Sequence, residues 1–382
     1  MASIVEVTRK RKGNRRRGAK SDGNLVMYKV RYRDPDRMQR SRTFPTKAAA
    51  VEFANSVETD IARDRYLDPA KGKVTVAEWA DDWFATTRHL KPKTQEGYQG
   101  LVRKHILPRL GSRSLATVRP IDVRRLVSEM VDEGLSPSRV RQARHVLGML
   151  FSAAVENRAI ASSPVAGVKV PREQRREMQI LTAEQVSTIA DAVPQRYRAL
   201  VYLLAYGGLR WGEATALRRG RINVLRSRIE VSESVSETGT GLHYGPTKTY
   251  QSRSVAIPGF LKDMLADHLD TYVGEGRDAL VFTTEAGTPV RSNNWRSRVW
   301  EPTLKDANLP KVRIHDLRHT CATLLIAQGA HVKAIQRHLG HSSIQITLDT
   351  YGHLLPDEQD RVADALDETF RAAGLKTSRL DT

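Results

Sequence analysis

Cysteine is nearly absent from this chain of 382 residues, in which Cys321 is the only one. A single cysteine excludes an intrachain disulfide and a zinc cluster built from several cysteines. Long apolar runs are also missing, because the longest one, residues 199–206, falls far short of the ~20 residues that a membrane-spanning helix needs. The N-terminus is basic but has no apolar segment behind it, so we expect no secretory signal. These absences predict a soluble, intracellular protein.

Acidic residues are outnumbered by basic ones, 43 against 62, which gives a net charge of +19 and a pI near 10.2. An excess of this size favours a polyanionic partner, either nucleic acid or an anionic membrane surface. The missing apolar segments argue against the membrane. An apolar content of 40% is sufficient for real hydrophobic cores, and the length predicts two or three domains.

The first 66 residues have the pattern of a small basic module. Residues 9–20 carry eight basic side chains and no acid, which is typical of a disordered arm that can become ordered on DNA phosphates. Alternation from Leu25 to Arg33 predicts a strand with one apolar and one basic face, followed by a return strand over 39–44 and a helix that begins after Thr46. The basic face consists of Lys29, Arg31 and Arg33. A basic sheet face can enter the major groove, so we expect DNA binding here, with a purely structural cap as the alternative.

A predicted linker at residues 68–73 leads into a region, 75–165, with the pattern of about four helices. Thr75 and Glu78 are spaced as a capping box, and further helices are predicted over 93–107, 119–133 and 137–157. Each of its cations taken alone is more often a solvated charge, but their concentration favours contacts with DNA phosphates. The candidates are Lys91, Lys93, Arg103, Lys104, Arg139, Arg141 and Arg144.

A second linker is predicted over residues 164–180, where two prolines and mixed charge interrupt the pattern. Thr182 and Gln185 then form another capping box, with Leu181 and Val186 as its hydrophobic staple. Beyond it the sequence predicts a mostly apolar helix, two short strands and four more helices. The helix covers residues 197–206, the strands 228–231 and 253–257, and the later helices 261–269, 295–306, 317–328 and 332–338. Residues 175–382 are therefore expected to form a mixed, mainly helical α+β domain.

Four short islands in this last region contain an unusual set of cations and acid–base groups. They are Gly208-Leu-Arg210-Trp-Gly-Glu213, Pro246-Thr-Lys248-Thr, His315-Asp-Leu-Arg318-His319-Thr320, and Leu339-Gly-His341 followed by Tyr351 ten residues later. The combination resembles the tyrosine recombinase, or phage integrase, family, whose pattern has these elements in this order. The resemblance covers residues 75–353.

The resemblance implies an active set in which Tyr351 attacks a DNA phosphate and becomes covalently attached to it. The set is Arg210, Lys248, His315, Arg318, His341 and Tyr351. Phosphodiester displacement suits these residue types, because arginines can clamp the non-bridging oxygens bidentately and histidines can donate hydrogen bonds or manage the tyrosine proton. Free tyrosine has a pKa of about 10, so we expect the surrounding cations to favour its phenolate. Lys248, on a mobile hairpin, is the expected acid for the leaving 5′-oxygen.

No cofactor is expected in this scheme. The sequence has neither a Walker-type phosphate loop nor the paired carboxylates of a two-metal site. The phosphotyrosine linkage conserves the energy of the broken bond, so neither a metal ion nor ATP is needed.

The supporting assignments have open alternatives. We expect Glu213 to orient Arg210 rather than to act as a base, and His319 to have a core or supporting role, with catalysis as the minority alternative. Arg253 and Lys262 lie near the same strand pair as Lys248 and are alternatives for its place in the active set. Cys321 is expected to be a small packed residue inside an apolar helix.

An amphipathic helix is predicted over residues 356–373, where Val362, Leu366 and Phe370 recur every four residues. The helix can pack on its own domain. In proteins that resemble this one, however, the C-terminal segment often docks onto a neighbouring protomer, and we hypothesise the same here.

The sequence thus predicts a three-part integrase: a basic arm and arm-type DNA-binding module (1–66), a helical core-site domain (75–165) and a catalytic domain with a tail helix (175–382). We expect the two larger domains to close around DNA, and a homotetramer to exchange strands through a four-way junction. The basic N-terminal module favours integration and excision of a phage or mobile element, in the cytoplasm of a bacterial cell and at its nucleoid. A host DNA-bending protein and a directionality factor are possible partners. The alternatives are a chromosome or plasmid dimer resolvase and, from another class, a catalytically inactive DNA-binding regulator.

Overall fold

A computed structural model describes residues 2–10, 24–68, 70–172, 178–354 and 359–373. The chain divides into two compact units, Met1–Gln174 and Arg175–Thr382. No helix within the described residues is long and apolar enough to cross a membrane.

The N-terminal module is a three-stranded antiparallel sheet packed against one helix. The strands β1 (Ser3–Lys10), β2 (Asn24–Arg33) and β3 (Gln39–Phe44) are paired in chain order, and helix α1 covers Lys47–Ala62. The predicted strands and helix are confirmed, and the Thr46 hydroxyl accepts a hydrogen bond from the backbone N–H of Ala49 as N-cap. The prediction missed β1. Its last two residues lie within the segment predicted as a disordered arm, whose remainder, 11–20, falls outside the described residues.

The segment after α1 was predicted as a linker, yet it is packed. Arg40 donates to Asp34 at 2.8 Å and to Asp68 at 2.7 Å, and both carboxylates are buried. Tyr32 and Tyr66 are buried beside this group, with their hydroxyls 3.2 Å apart. A short 3₁₀ turn follows at Lys71–Lys73. Because these contacts join residues far apart in the chain, local sequence pattern did not reveal them.

The rest of the first unit is a helical bundle, as predicted. Its helices are α2 (Val76–Thr86), α3 (Pro92–Leu101), α4 (Leu107–Leu110), α5 (Pro120–Asp132) and α6 (Pro137–Glu156), with a π-helical segment at Val102–Ile106 and 3₁₀ turns at Thr87–His89 and Leu115–Thr117. The capping box of Thr75 and Glu78 is present. The core contains fully buried side chains from α6, among them Leu147, Leu150 and Phe151.

The first part of the predicted second linker also belongs to this bundle. Val165 and Val168 are buried in its core, and Val170 packs against it. Arg144 donates from Nη2 to the carbonyl of Val165 at 3.1 Å. Three apolar side chains at this spacing favour burial over a solvated linker, although the prolines suggested otherwise.

The second unit is mainly helical with two small antiparallel sheets, which confirms the predicted mixed class. Its helices are α7 (Ala183–Ala192), α8 (Gln195–Tyr206), α9 (Trp211–Thr215), α10 (Gly259–Tyr272), α11 (Ser292–Trp295), α12 (Glu301–Asp306), α13 (Ile314–Ala327), α14 (Val332–Leu339), α15 (Ile344–Tyr351) and α16 (Gln359–Ala372), with a π-helical segment at Arg296–Trp300 and 3₁₀ turns at Arg219–Arg221 and Gly352–Leu354. Its strands are β4 (Ile222–Asn223), β5 (Arg228–Val231), β6 (Glu233–Thr238), β7 (Gly241–Pro246) and β8 (Arg253–Ala256). One sheet has the order β4-β5-β8, and β6 and β7 form a hairpin.

Helix α8 is the centre of this unit. It is buried nearly all round, from Ala199 to Ala205, as its mostly apolar sequence predicted. Helices α7, α10 and α13 pack against it. A second, smaller cluster joins α13, α14 and α15 through Cys321, Ile335, Leu339 and Tyr351. Cys321 is therefore packed as expected, and the nucleophile candidate is attached to the same small core.

Among the described residues the tail helix covers Gln359–Ala372, within the predicted span. The start of that span falls in residues 355–358, which lie outside the described ones. Leu366 is 65% exposed and Phe370 38% exposed. These two side chains of the predicted apolar stripe are therefore not buried on their own unit.

Candidate active site

A glycine turn between α8 and α9 positions Arg210. Gly208 has a φ of 64°, and a side chain there would begin 2.8 Å from Leu339 Cδ2 and 2.9 Å from Cys321 Sγ. Both constraints favour glycine. The chain then reaches Arg210, whose backbone N–H donates to Glu213 Oε2 at 2.9 Å at the start of α9.

Glu213 holds two arginines through one buried carboxylate. Arg210 Nη1 donates to its Oε1 at 2.8 Å, while Arg253 donates from Nη1 to Oε1 at 3.1 Å and from Nη2 to Oε2 at 2.7 Å. The Glu213 side chain has no exposed surface. Burial alone would raise the pKa of this carboxyl. The hydrogen bonds and charges of Arg253 and Arg210 outweigh that effect and lower the pKa to about 2. Glu213 is therefore ionised and fixes the orientation of both guanidinium groups.

Three arginines converge on three consecutive carbonyls at the end of α14. Arg253 Nε donates to the carbonyl of His338 at 3.0 Å, Arg318 Nη2 to that of Leu339 at 2.6 Å, and Arg210 Nη2 to that of Gly340 at 3.0 Å. Carbonyls at a helix C-terminus have no partner within the helix and favour positive charge. The turn that ends α14 therefore acts as a scaffold for the cations.

Gly340 makes this scaffold possible. Its φ of 68° ends the helix in the left-handed conformation, with its N–H bonded to the carbonyls of Gln336 and Arg337. A side chain at this position would begin 2.8 Å from Nη1 of Arg253. The glycine of the Leu339-Gly-His341 island is therefore required both by backbone conformation and by the close approach of an arginine.

Arg318 is a buried cation, 3% exposed. Besides Leu339 it donates to the carbonyl of Gly208, so it joins the two glycine turns. Burial, and then the charge of Arg210, lower its pKa to about 9. The guanidinium is still protonated at neutral pH, but its charge is held in a poorly solvated site.

Tyr351 is the last residue of α15 and is 2% exposed. Its hydroxyl lies 2.8 Å from Nδ1 of His319. Burial raises the pKa of Tyr351 to about 12, and the charge of Arg318 only partly offsets this. Arg318 thus favours the phenolate, as expected of the nearby cations, but desolvation of the phenolate is the larger effect and the net pKa is raised.

The other two candidate histidines make no hydrogen bond with the tyrosine hydroxyl. His341 Nδ1 is hydrogen-bonded to Thr347 Oγ1 at 2.9 Å. The His341 ring is stacked on that of Tyr351, with the ring centroids 6.5 Å apart. His315 lies at the solvent-facing side and meets the ring of His319 edge-on at 5.0 Å. Desolvation, followed by neighbouring positive charges, lowers the pKa of both His315 and His341. Both imidazoles are therefore neutral at pH 7.

Lys248 makes no hydrogen bond or ion pair with this cluster. It lies in an exposed turn after β7, where Thr247 Oγ1 donates to the carbonyl of Gln251, and it has no hydrogen bond or ion pair with any described residue. Its two rivals are engaged elsewhere. Arg253 is bound to Glu213, and Lys262 is paired with Asp263 at 3.0 Å. Lys248 is thus the free cation of the three.

The candidate DNA contacts lie in the first unit on partly or fully exposed surfaces. On the sheet, Arg31 and Arg33 are exposed and Lys29 is half-buried. On the helices, Arg139 and Arg141 are exposed at the start of α6, Lys91 caps α3, and Lys93 pairs with Glu96 at 3.0 Å.

Arg144 lines a groove together with Arg141, His145, Lys169 and Arg172. Its Nε is buried and has no hydrogen-bond partner. An unpaired guanidinium N–H beside several further cations is a suitable place for an anion.

Two residues that sequence reasoning did not place in the site have clear roles in it. Arg253 binds both the Glu213 carboxylate and the end of α14, and Thr347 bonds His341. From sequence alone, Arg253 is only an alternative to Lys248, and nothing in the local pattern distinguishes Thr347. Their partners lie on other elements, so only the fold reveals them.

Comparison with known proteins identifies the family. Residues 179–358 match the Phage integrase family, and residues 75–131 match the Phage integrase, N-terminal SAM-like domain. The integrase of Mycobacterium phage FRAT1 is 31% identical over 291 residues, which cover 75% of this chain and 86% of that relative.

Solved structures share the fold. The Tn1549 transposon integrase in complex with a circular intermediate DNA has a TM-score of 0.67 at 22% identity, covering 78% of this chain and 99% of that one. A lambda integrase tetramer bound to a Holliday junction has a TM-score of 0.56 at 20% identity, covering 82% and 93%. The two family matches, the phage relative and the shared fold show that the chain belongs to the phage integrase family of tyrosine recombinases.

Proposed function

We propose that this chain cleaves and rejoins DNA at specific sites by attack of Tyr351 on a backbone phosphate, forming a 3′-phosphotyrosine intermediate. The observation that carries the proposal is the convergence of Arg210 and Arg318 on the turn at Leu339 and Gly340, next to the buried Tyr351. Cations held in this way can bind a phosphate.

Both arginines have N–H groups that are not bonded to any described residue. Arg210 and Arg318 each use two N–H groups on described partners, and a guanidinium has five. The remaining N–H groups can donate to the non-bridging oxygens, on which negative charge increases in the five-coordinate state. Preorganised donors of this kind contribute about 3–4 kcal/mol each in a site that excludes water.

Proton transfer to the leaving oxygen completes the proposed reaction. As the Tyr351 oxygen forms its bond to phosphorus, the bond from phosphorus to the 5′-oxygen breaks. The leaving oxygen takes a proton from Lys248, which the exposed turn after β7 leaves free to reach DNA. His315 and His341 donate hydrogen bonds to the phosphate. Rejoining is the same sequence in reverse, with a 5′-hydroxyl as nucleophile, so no external energy source is consumed.

DNA binding is proposed to be shared among three parts. Residues 1–66 bind arm-type sites through the sheet face with Arg31 and Arg33, residues 75–165 bind the core site through α6 and the groove around Arg144, and residues 175–382 carry the chemistry. The charge of +19 predicts that affinity falls steeply as salt rises. A salt-independent affinity would contradict these phosphate contacts.

The proposed biological reaction is integration and excision of a phage or mobile element in the bacterial cytoplasm, by a homotetramer that passes through a four-way junction. A host DNA-bending protein and a directionality factor are proposed as further partners. The basic module at residues 1–66 supports this role over dimer resolution. The exposed Leu366 and Phe370 of α16 support docking of the tail onto a neighbouring protomer. Deletion of residues 356–382 should leave DNA binding intact but weaken the tetramer, and an unchanged tetramer on DNA would contradict the docking.

The proposed chemistry is tested with a nicked suicide substrate that carries the attachment core sequence flanking the coding region. Loss of the short fragment beyond the nick prevents rejoining and traps the covalent complex. We expect the wild-type chain to form a denaturant-resistant adduct and Tyr351→Phe to form none while it binds the same DNA. Absence of a wild-type adduct, or an adduct with Tyr351→Phe, would overturn the proposal.

A further inference from the structure

The hydroxyl of Tyr351 has one hydrogen-bond partner among the described residues, and it is His319. The distance from Oη to Nδ1 is 2.8 Å, and the two ring centroids lie 5.7 Å apart at an angle of 61°. His319 is on α13, one residue after Arg318, while Tyr351 ends α15. The contact therefore depends on the packing of two helices and not on chain proximity.

Neither of the other two histidines is placed to take this proton. His341 uses Nδ1 on Thr347, and its ring is parallel to the tyrosine ring, 6.5 Å away. His315 contacts the ring of His319 at 5.0 Å, on the solvent-facing side. His319 therefore lies between the tyrosine hydroxyl and the exposed His315.

The surroundings keep His319 neutral and able to accept. The nearby groups are the carboxylate of Asp316, the guanidinium groups of Arg313 and Arg318, the imidazole of His315 and the phenol of Tyr351. Burial, with the two arginines, lowers the pKa of His319, and Asp316 only partly offsets this. The Asp316 carboxylate is itself bound to Arg313 at 2.7 Å. A neutral imidazole whose Nδ1 accepts from the hydroxyl has its own proton on Nε2.

We propose that His319 is a catalytic residue, the base that removes the phenolic proton of Tyr351 during attack and returns it during rejoining. The inference rests on the proposed function. In the forward step the O–H bond of Tyr351 breaks, its proton moves to Nδ1 of His319, and the O–P bond forms. The P–O bond to the 5′-oxygen breaks, and that oxygen receives a proton from the acid. In reverse, the incoming 5′-hydroxyl gives its proton back to the neutral amine of Lys248 and forms the P–O bond. The bond from phosphorus to the Tyr351 oxygen breaks, and the phenolate recovers its proton from the imidazolium of His319.

The test compares the rate of adduct formation by the full chain with that of two variants, His319→Asn and His319→Ala, on the nicked suicide substrate. Asparagine can retain a hydrogen bond to the hydroxyl but cannot accept its proton. His331→Asn is the matched control, because His331 is exposed at the far end of α14 and asparagine is also a good N-cap. We expect the control to react at the wild-type rate. The Asn variant should be about 10² slower or more at pH 7, with unchanged affinity for DNA.

Two further measurements separate a base from a merely positioning side chain. Added imidazole should accelerate His319→Ala, and a fluorinated, more acidic tyrosine at position 351 should restore part of the rate of His319→Asn. The wild-type rate should level off above the lowered pKa of His319, while the Asn rate should continue to rise with pH as phenolate forms.

A rate of His319→Asn within about twofold of wild type would overturn the inference. So would a loss that is equal at every pH and insensitive both to imidazole and to the acidity of the tyrosine. In both cases the wild-type adduct still forms, so the proposed function survives. A wild-type chain that forms no adduct refutes the proposed function itself.

Discussion

Replacing Glu213 with glutamine tests whether one buried carboxylate organises the cations of the site. The substitution keeps the size of the side chain and removes its charge. Arg253, whose side chain is 11% exposed, then loses its ionic partner, while Arg210, at 23%, can recover some hydration. Removing one member of a buried ion pair leaves the other uncompensated.

The magnitude follows from two independent considerations. A pKa lowered from 4.5 to about 2 corresponds to about 3 kcal/mol of stabilisation at neutral pH. Breaking a buried ion pair from one side costs about 3–5 kcal/mol in other proteins. We therefore expect Glu213→Gln to lower the free energy of unfolding of the second unit by about 3 kcal/mol at pH 7.

The pH dependence provides a sharper check. The folded-state pKa of Glu213 lies below its unfolded value, so its contribution is fully present above about pH 5 and is lost as the pH falls towards 2. The difference between wild type and Glu213→Gln should therefore shrink on acidification, to about half by pH 3. A buried group that acts only by packing would give a constant difference.

Hydrogen exchange in increasing urea, read on peptides from α8, measures unfolding of the second unit separately from the first. Glu230→Gln is the control, because Glu230 pairs with Arg221 at the surface, with about half of each side chain exposed. That exposed pair should contribute at most about 1 kcal/mol. A loss below 1 kcal/mol for Glu213→Gln, or a difference from wild type that does not change between pH 7 and pH 3, would refute the reasoning.

Two further substitutions address the scaffold around the tyrosine. Gly340→Ala forces a side chain into a left-handed backbone, 2.8 Å from Arg253 Nη1. It should lower the free energy of unfolding by about 1–2 kcal/mol and slow adduct formation. Gly134→Ala, which is left-handed but in open space, is its control for unfolding. Thr347→Val removes the hydroxyl that bonds His341, and we expect a loss of about 1 kcal/mol with a slower adduct rate in the suicide assay. An unchanged rate in both variants would mean that neither contact positions a reacting group.

Local signals allowed much of the fold to be predicted. The capping boxes at Thr75 and Thr182 and the apolar run of α8 depend on neighbours within a few residues, and each is present as expected. A hairpin near Lys248 was expected from the family resemblance, but strands β6 and β7 were not predicted, because β6 is half-buried along its whole length. Without one apolar and one polar face it has no period-two pattern.

The residues of the site could be identified from sequence more readily than their contacts. Arg210 and Gly340 are bonded across 130 positions, and Arg318 and Gly208 across 110. No local pattern reports such pairs, so the role of the α14 terminus was not foreseen. The high pKa of Tyr351 was missed for the same reason, because it depends on burial by α13 and α14.

The most direct test of the central claim is to locate the covalent bond itself. After trapping on the suicide substrate, digestion with nuclease and trypsin should leave nucleotide mass on the peptide that covers residues 338–361, in which Tyr351 is the single tyrosine. Fragmentation should place that mass on Tyr351, linked through the 3′-phosphate of the cleaved strand. Nucleotide mass on any other peptide, or a linkage through a 5′-phosphate, would contradict the proposed chemistry.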